Sequence, residues 1–513
     1  MKNILKLLKS HWDQNPLGII LILAAVLRFV SVIFAKGWGM LDDHFLVIEV
    51  AQSWADGEDV SQWLPSSLGN EGPTGHSFFY VGLHFLFFSL LNLTGPDDPQ
   101  IKMMLVRLLH GAFSMITVYL GYRISEKISG KENARLVGIL LAVYWFMPWL
   151  SVRNLVEIVA TPLLMMGTWM MVREERPEKI FRLFFWSGFI IGLAFSVRYQ
   201  TMFFAGGIGL ALLFRKQIRE ALIFAGGYLV SIVLVQGSID LFVWGRPFAE
   251  LEEYVTYNLD NAYTYLTGKW YKYIVLFAGM FIPPLSIFLL AGFFVNWRKH
   301  LIIFLPTFIF LAFHSAFPNK QERFVLTVIP FLLILGIVGM NVMAEKWNWL
   351  RQNRGILTGT WILFWVINVI LLVPVSVMYS KKARVEAMTY LYKSPAVETI
   401  IIENTNSSQV DIVPKFYAGK WLNVLEVTKV KTVDSLPEFD KNNIPEPGYV
   451  LFFRDENLEK RVAHMKQLLP RLEFEKAIEP GFVDKVIHML NPHNKNEVIL
   501  IYRNAAYFEN LNY

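Results

Sequence analysis

The chain has 513 residues, 54% of them hydrophobic and 15% aromatic but only 18% charged, and its mean hydropathy is +0.40. Soluble domains carry about 25% charged residues, so these values exclude a soluble enzyme and a disordered chain, and apolar runs of about 17 to 24 residues exclude a β-barrel. The net charge of +6 sits in short connectors, where it orients helices in a bilayer rather than binding nucleic acid; zero cysteines remove disulfides, thiolate metal sites and a cysteine nucleophile.

Lys2, Lys6 and Lys9 precede an apolar run over 17–35 that has no small-residue cleavage site, so a retained first helix with a cytoplasmic start is predicted. The following loop, 36–75, is acidic: Asp42, Asp43, Glu49, Asp56, Glu58, Asp59 and Glu71 stand against Lys36. Asp42, Phe45 and Glu49 have helical spacing, which places two carboxylates on one face of a short helix at the bilayer surface. A carboxylate partly withdrawn from water gains basicity and suits proton abstraction from a hydroxyl. A solvated acidic loop explains the same run equally simply.

Eleven further apolar runs follow, at 77–93, 103–122, 136–150, 155–172, 183–197, 199–214, 221–239, 273–295, 301–317, 324–343 and 356–378. Between them lie basic connectors, among them Arg123 to Arg135, Arg173 to Arg182, Arg215 to Arg219, Arg298 with Lys299, and Lys346 to Arg354. The positive-inside rule puts these in the cytoplasm. If the run His76 to Leu93 crossed, all of them would lie outside, so an interfacial helix there and eleven crossings are expected. Lys381, Lys382 and Arg384, after the last run, fall on the opposite side to that rule.

The alternate connectors hold the unusual polar residues. Asn154 and Glu157 stand at one helix end and Arg198 at the turn between two others; ionisable groups in such segments are costly and mark function or a structural ion pair. The loop after Asp240 is rich in aromatics, including Trp244, Trp270 and Tyr271, which suit a membrane interface or a sugar platform. Lys320 and Arg323 sit three apart at a predicted helix start, where an anion is favoured, beside His314. Ordinary headgroup contacts account for such basic residues too. All four polar clusters fall on one side, which points to chemistry there between a lipid phosphate and a polar acceptor. A lipid-linked sugar flippase or transporter is the alternative from another class.

From about Ser380 the composition turns polar, with strand-like runs at Thr399–Ile402, Tyr449–Phe453 and Val498–Tyr502 and helical stretches near 383–393 and 456–469. The prediction is a mainly α, polytopic membrane domain over 1–379, with interfacial helices in 36–102, and a small C-terminal α/β domain over 380–513.

Asp42-Asp-His-Phe-Leu-Val-Ile-Glu49 resembles the first-loop pattern of the polyprenyl-phosphate-mannose-dependent mannosyltransferases of glycosyltransferase family 22, with Asp43 in place of Glu and Leu46 in place of Gln. Lys320-Gln-Glu-Arg323-Phe324 followed by Pro330 is similar to a later signature of that family, with Asn319 where His is usual. Asn154-x-x-Glu157, Arg198 and the series Asp240, Gly245, Tyr257-Asn258, Gly268-x-Trp270-Tyr271 resemble further motifs in the family's order, although Leu150 stands where the family has Arg.

The resemblance implies a GT-C fold and an inverting transfer of mannose or a similar hexose from a polyprenyl-phosphate donor to a lipid-linked or cell-envelope glycan. It implies no metal or other cofactor, and an extracytoplasmic active site in a multi-pass protein, expected in a bacterial inner membrane. Asp42 and Asp43 are then the catalytic candidates, and Glu49, Asn154, Glu157, Arg198, Asp240, Trp270, Tyr271, Lys320 and Arg323 bind substrate. A GT-C transferase using another lipid-phosphate sugar is the nearest alternative.

Overall fold

In hydrocarbon every backbone N–H and C=O must be paired within its own segment, so long apolar runs become helices. The computed structural model describes residues 10–67, 72–173, 179–394, 396–408, 411–437, 439, 444–490 and 497–510. Lys2, Lys6, Lys9, Glu71 and Arg176 lie outside the described residues. Among those described, seven helices are long and apolar enough to cross a membrane: Pro16–Phe34, Pro99–Ser129, Val156–Arg173, Ile180–Val197, Ile218–Trp244, Glu322–Lys346 and Arg354–Ser376. Shorter apolar helices are Phe78–Thr94, Tyr199–Phe214, Leu285–Phe294 and Leu301–Ala316. Phe78–Thr94 reaches only about 25 Å at 1.5 Å per residue, less than the roughly 30 Å of a hydrocarbon core.

Two runs expected as single helices are interrupted. The run 136–150 divides into Lys131–Val143 and Met147–Ser151, with Pro148 opening the second piece. The run 273–295 divides into Lys272–Met280 and Leu285–Phe294 around Pro283 and Pro284, which offer no N–H to a continuing helix.

The chain forms two compact units. The first comprises Met1–Ile33, Gln62–Leu83 and Val106–Val377. Its centre is Ile329–Lys346, which is apolar on all sides and nearly all buried. This helix meets Leu285–Phe294 at bare backbone: a Cβ on Gly339 would lie 1.9 Å from the Gly292 carbonyl oxygen. Small residues permit this approach, and in a bilayer such packing replaces the hydrophobic drive.

The second unit comprises Phe34–Ser61, His84–Leu105 and Met378–Tyr513. It holds one five-stranded sheet: β1 (Thr399–Asn404), β2 (Asn423–Thr428), β3 (Tyr449–Phe453), β4 (Leu472–Ile478) and β5 (Ile499–Asn504), in the order β2-β1-β3-β5-β4. β1 runs parallel to β2 and β3, and β5 antiparallel to β3 and β4. Every residue of β1 and β3 is buried, as expected of central strands covered on both faces. The edge strand β4 is exposed through its middle, where Glu473, Glu475 and Lys476 protect it from pairing with another chain. Helices Lys382–Tyr392 and Leu458–Leu468 lie where expected; β2, β4 and Phe482–Leu490 are additional elements.

Candidate active site

Glu157 lies in the first turn of Val156–Arg173, where a helix dipole favours negative charge. Its side chain is wholly buried, with Arg198 Nη2 at 3.0 Å and Arg323 Nε at 3.6 Å. Arg198 ends the helix Ile180–Val197 in an extended conformation, which turns its side chain back into the bundle. Arg323 opens the 3₁₀ turn Glu322–Val328 and also donates Nε to Gln321 Oε1 at 2.9 Å. Both guanidiniums lie against the Phe324 ring, 5.1 and 5.7 Å from its centroid. Two cations on one carboxylate leave the group net positive. Glu157 Oε1 and Oε2 and Arg198 Nε and Nη2 make no hydrogen bond within the described residues, so charge alone holds them. Tyr254, absent from the sequence-based candidates, feels the charge of all three groups; burial pushes its phenol up to about 12.

Lys320 is 1% exposed and spends its ammonium on backbone. Nζ donates to the carbonyl of His314 at 2.8 Å and to that of Phe317, closing the C-terminus of Leu301–Ala316. Burial, with Lys272 nearby, holds it below the ordinary lysine range. Lys272 itself donates to the Lys320 carbonyl at 2.9 Å and pairs with Glu322 at 3.0 Å. Trp270 and Tyr271 are exposed rings, 65% and 43%, meeting edge to face. Asn154 is buried and its carbonyl accepts the Tyr80 hydroxyl at 3.2 Å.

Asp240 is fully buried and accepts from Gln236 Nε2 at 2.8 Å and the Glu250 N–H at 3.1 Å. It thereby seats Glu250, which the sequence reading passed over. Glu250 Oε2 accepts the N–H groups of Thr74, Gly75 and His76 at 2.9, 2.7 and 3.1 Å, and Oε1 accepts Trp244 Nε1 at 2.8 Å. This carboxylate fixes the loop 74–76; burial pushes it up to about 7 while those donors pull it down. Other buried cations were also passed over. Arg153 lies over Trp149 at 4.5 Å, Arg28 donates to Ser114 at 2.8 Å and Arg107 to the Val32 carbonyl at 2.8 Å. An Arg inside an apolar run is the signal that could have found the last two.

In the second unit, Leu41–Asp43, the π-helical turn His44–Glu49 and Val50–Ala55 follow without a break. A π turn takes up more residues than an α turn, so Asp42 and Glu49 do not share a face. Asp42 is exposed, whereas Asp43 and Glu49 are buried at 4% and 7%. Glu49 Oε1 accepts the Phe416 N–H at 3.0 Å and lies 3.7 Å from His44 Nε2. The His44 ring stacks on Trp38 and Tyr417, with centroids at 5.4 and 5.5 Å. Glu49 therefore anchors the first-loop helix to the segment Lys415–Ala418.

Burial pushes the Glu49 carboxyl from 4.5 up to about 8, against the Phe416 N–H and Lys415, which lower it. His44 is lowered to about 3 by burial, so it is neutral in the fold but protonated below about 6.5 in the unfolded chain, and over that lower range it opposes the Glu49 effect. Between 4.5 and about 8 the folded chain keeps a Glu49 proton that the unfolded chain releases, so the contribution of Glu49 to stability is full below about 4.5 and is lost as pH rises to about 8. Thermal unfolding from about pH 6.5, above which His44 no longer titrates in either state, to pH 8 is expected to show this decline, at most about 1.4 kcal/mol per pH unit for one proton. Glu49→Gln should flatten the decline, leaving only the share of Glu250; an unchanged slope would mean that Glu49 is ionised in the fold.

Residues 19–419, more than three-quarters of the chain, match the Alg9-like mannosyltransferase family. The chain belongs to this family. Mannosyltransferase APTG1 of Arabidopsis thaliana is 23% identical over 318 residues, or 60% of this chain; the match spans 56% of that relative's length. ArnT from Cupriavidus metallidurans bound to undecaprenyl phosphate superposes with a TM-score of 0.59 and 13% identity, covering 94% of this chain and 97% of ArnT. Apo ArnT gives 0.57 and 13%, covering 97% and 98%. At such identity the likeness concerns the fold alone, which is GT-C, and the chain is an integral, multi-pass membrane protein. The Alg9-like match includes Asp42 to Glu49 and Lys320 to Phe324 and ends before β2, so most of the sheet lies beyond it.

Proposed function

We propose that the protein transfers mannose from a polyprenyl-phosphate donor to a lipid-linked or cell-envelope glycan, by a single inverting and metal-independent displacement at the extracytoplasmic face. The observation that carries this reading is the buried, net positive group of Arg198, Arg323 and Glu157, in which Arg198 Nε and Nη2 make no hydrogen bond among the described residues. It lies within the stretch that matches a mannosyltransferase family. That ArnT was solved with undecaprenyl phosphate supports a lipid-phosphate donor for the shared fold.

In the proposed step the acceptor oxygen bonds C1 of the sugar as the C1–O bond to phosphate breaks. Asp42 takes the hydroxyl proton, and the leaving phosphate keeps the electron pair. Arg198 and Arg323 stabilise its growing charge, since guanidinium donors match phosphate oxygens in bidentate fashion. Trp270 and Tyr271 supply exposed faces for a sugar ring, Asp43 and Asn154 position the loop ends, and Glu49 and Asp240 act through the segments they anchor. Lys320 contributes positive charge from its seat on the helix end.

The test is mass spectrometry of products after purified protein is given polyprenyl-phosphate mannose and a membrane lipid extract. Addition of one hexose to a lipid or glycan, with release of polyprenyl phosphate, is expected. If the donor is untouched while another lipid-phosphate sugar is consumed, mannose is the wrong sugar; if none is consumed, transfer itself is refuted.

A further inference from the structure

The basic connectors stand at the other end of the helices from Glu157, and there the bundle encloses a cavity of about 370 Å³. From Glu157 to Met171, on its wall, the helix Val156–Arg173 climbs about 21 Å at 1.5 Å per residue. The cavity is therefore separate from the arginine cluster. Apolar side chains such as Met171, Phe184, Leu212 and Ile303 form one part of its wall, and polar groups form the rest. Its rim carries Arg215, Lys299 and His300 with Glu220, a net positive set, and the two connectors add Lys216, Arg219 and Arg298.

His300 decides what the rim is for. It is 8% exposed, lines the cavity, and its ring makes no hydrogen bond among the described residues. It stands at the N-terminus of the 16-residue helix Leu301–Ala316, which no side chain among the described residues caps. The N–H groups of Ile303 and Phe304 donate to the His300 carbonyl at 2.9 Å, so this end offers those of Leu301 and Ile302 and the positive pole of the dipole. A buried imidazole, a helix start and two cations thus converge beside an apolar wall formed by Met171, Phe184, Leu212 and Ile303. A soluble phosphate leaves the apolar part of the wall uncovered, and a zwitterionic lipid gains less from the net positive rim than an anionic one.

We propose that this cavity is a second lipid site, which takes the phosphodiester headgroup and upper acyl chain of an anionic membrane lipid. The chain lies along the apolar part of the wall, and the phosphate lies among Arg215, Lys299, His300 and the N–H groups of Leu301 and Ile302. Burial and Lys299 lower His300 to about 4, so it is neutral and offers one N–H, while Arg215 and Lys299 supply the charge. Basic pockets between transmembrane helices are suited to such headgroups.

Native mass spectrometry of the full chain tests this, with phosphatidylglycerol, phosphatidylcholine and inorganic phosphate added separately. Wild type should retain one phosphatidylglycerol, in preference to phosphatidylcholine, and inorganic phosphate should not displace it. The Arg215→Gln, Lys299→Gln variant, altered at two exposed side chains, should bind phosphatidylglycerol about tenfold or more weakly, the scale expected from two basic residues near an anionic headgroup. His300→Phe should also weaken it while leaving phosphatidylcholine retention unchanged. Equal retention of both lipids, displacement by inorganic phosphate, or unchanged binding in both variants would overturn the proposal.

Discussion

Asp42→Asn is expected to lower turnover by about 10²- to 10⁴-fold, the range for loss of a general base, while the protein folds normally. Asp42 is exposed at the start of the first-loop helix, and an isosteric exposed substitution of this kind stays within about 0.5 kcal/mol. The loss should fall on kcat, because an amide of the same shape still binds the acceptor but cannot accept its proton. Asp43→Asn is the informative contrast. Asp43 is 4% exposed, so its replacement should lower thermal stability together with activity. The measurement is initial rate of hexose transfer from polyprenyl-phosphate mannose, beside an unfolding curve for each variant. Wild-type turnover in Asp42→Asn would remove the base from that position.

The membrane architecture was readable from the sequence because a bilayer imposes it: long apolar runs become helices, whatever their partners. The breaks at Pro148 and at Pro283-Pro284 were not anticipated, although proline marks both. In the C-terminal domain the same logic separated strands by position in the sheet. β1 and β3 read as unbroken apolar segments because both faces are covered. The edge strands β2 and β4 mix charges with apolar residues and gave no such run. Glu157, Arg198 and Arg323 were each suspicious as charges near apolar segments, but only the fold brings them onto one carboxylate. Glu250 had no local signal at all. It is one of three glutamates in Glu250-Leu-Glu-Glu253, an ordinary surface pattern, and only its contacts with residues 74–76, far away in sequence, distinguish it. The π turn after Asp43 was hidden for a related reason: spacing arguments assume an α period, and one wider turn moves Glu49 off the face of Asp42.

Glu157→Gln is expected to be the most destabilising of the conservative changes in the first unit. The amide preserves the shape but removes the charge that Arg198 and Arg323 share at 3.0 and 3.6 Å. Breaking a buried ion pair from one side costs about 3–5 kcal/mol, because the remaining charge stays withdrawn from water. Here two guanidiniums are left. The cost depends on the arginines, so adding Arg198→Gln to Glu157→Gln should restore part of the lost stability, a positive coupling that distant sites do not show. Arg323→Gln alone should be milder in stability, since Glu157 keeps Arg198, yet it should lose turnover if Arg323 meets the leaving phosphate. Thermal unfolding of the detergent-solubilised single and double variants, read by tryptophan fluorescence, measures the coupling. Additive losses would show that Glu157 and Arg198 do not act as a pair. Stability in Glu157→Gln equal to wild type would show that the arginines need no counter-charge, and with that the net positive cluster would cease to be the feature that organises this end of the bundle.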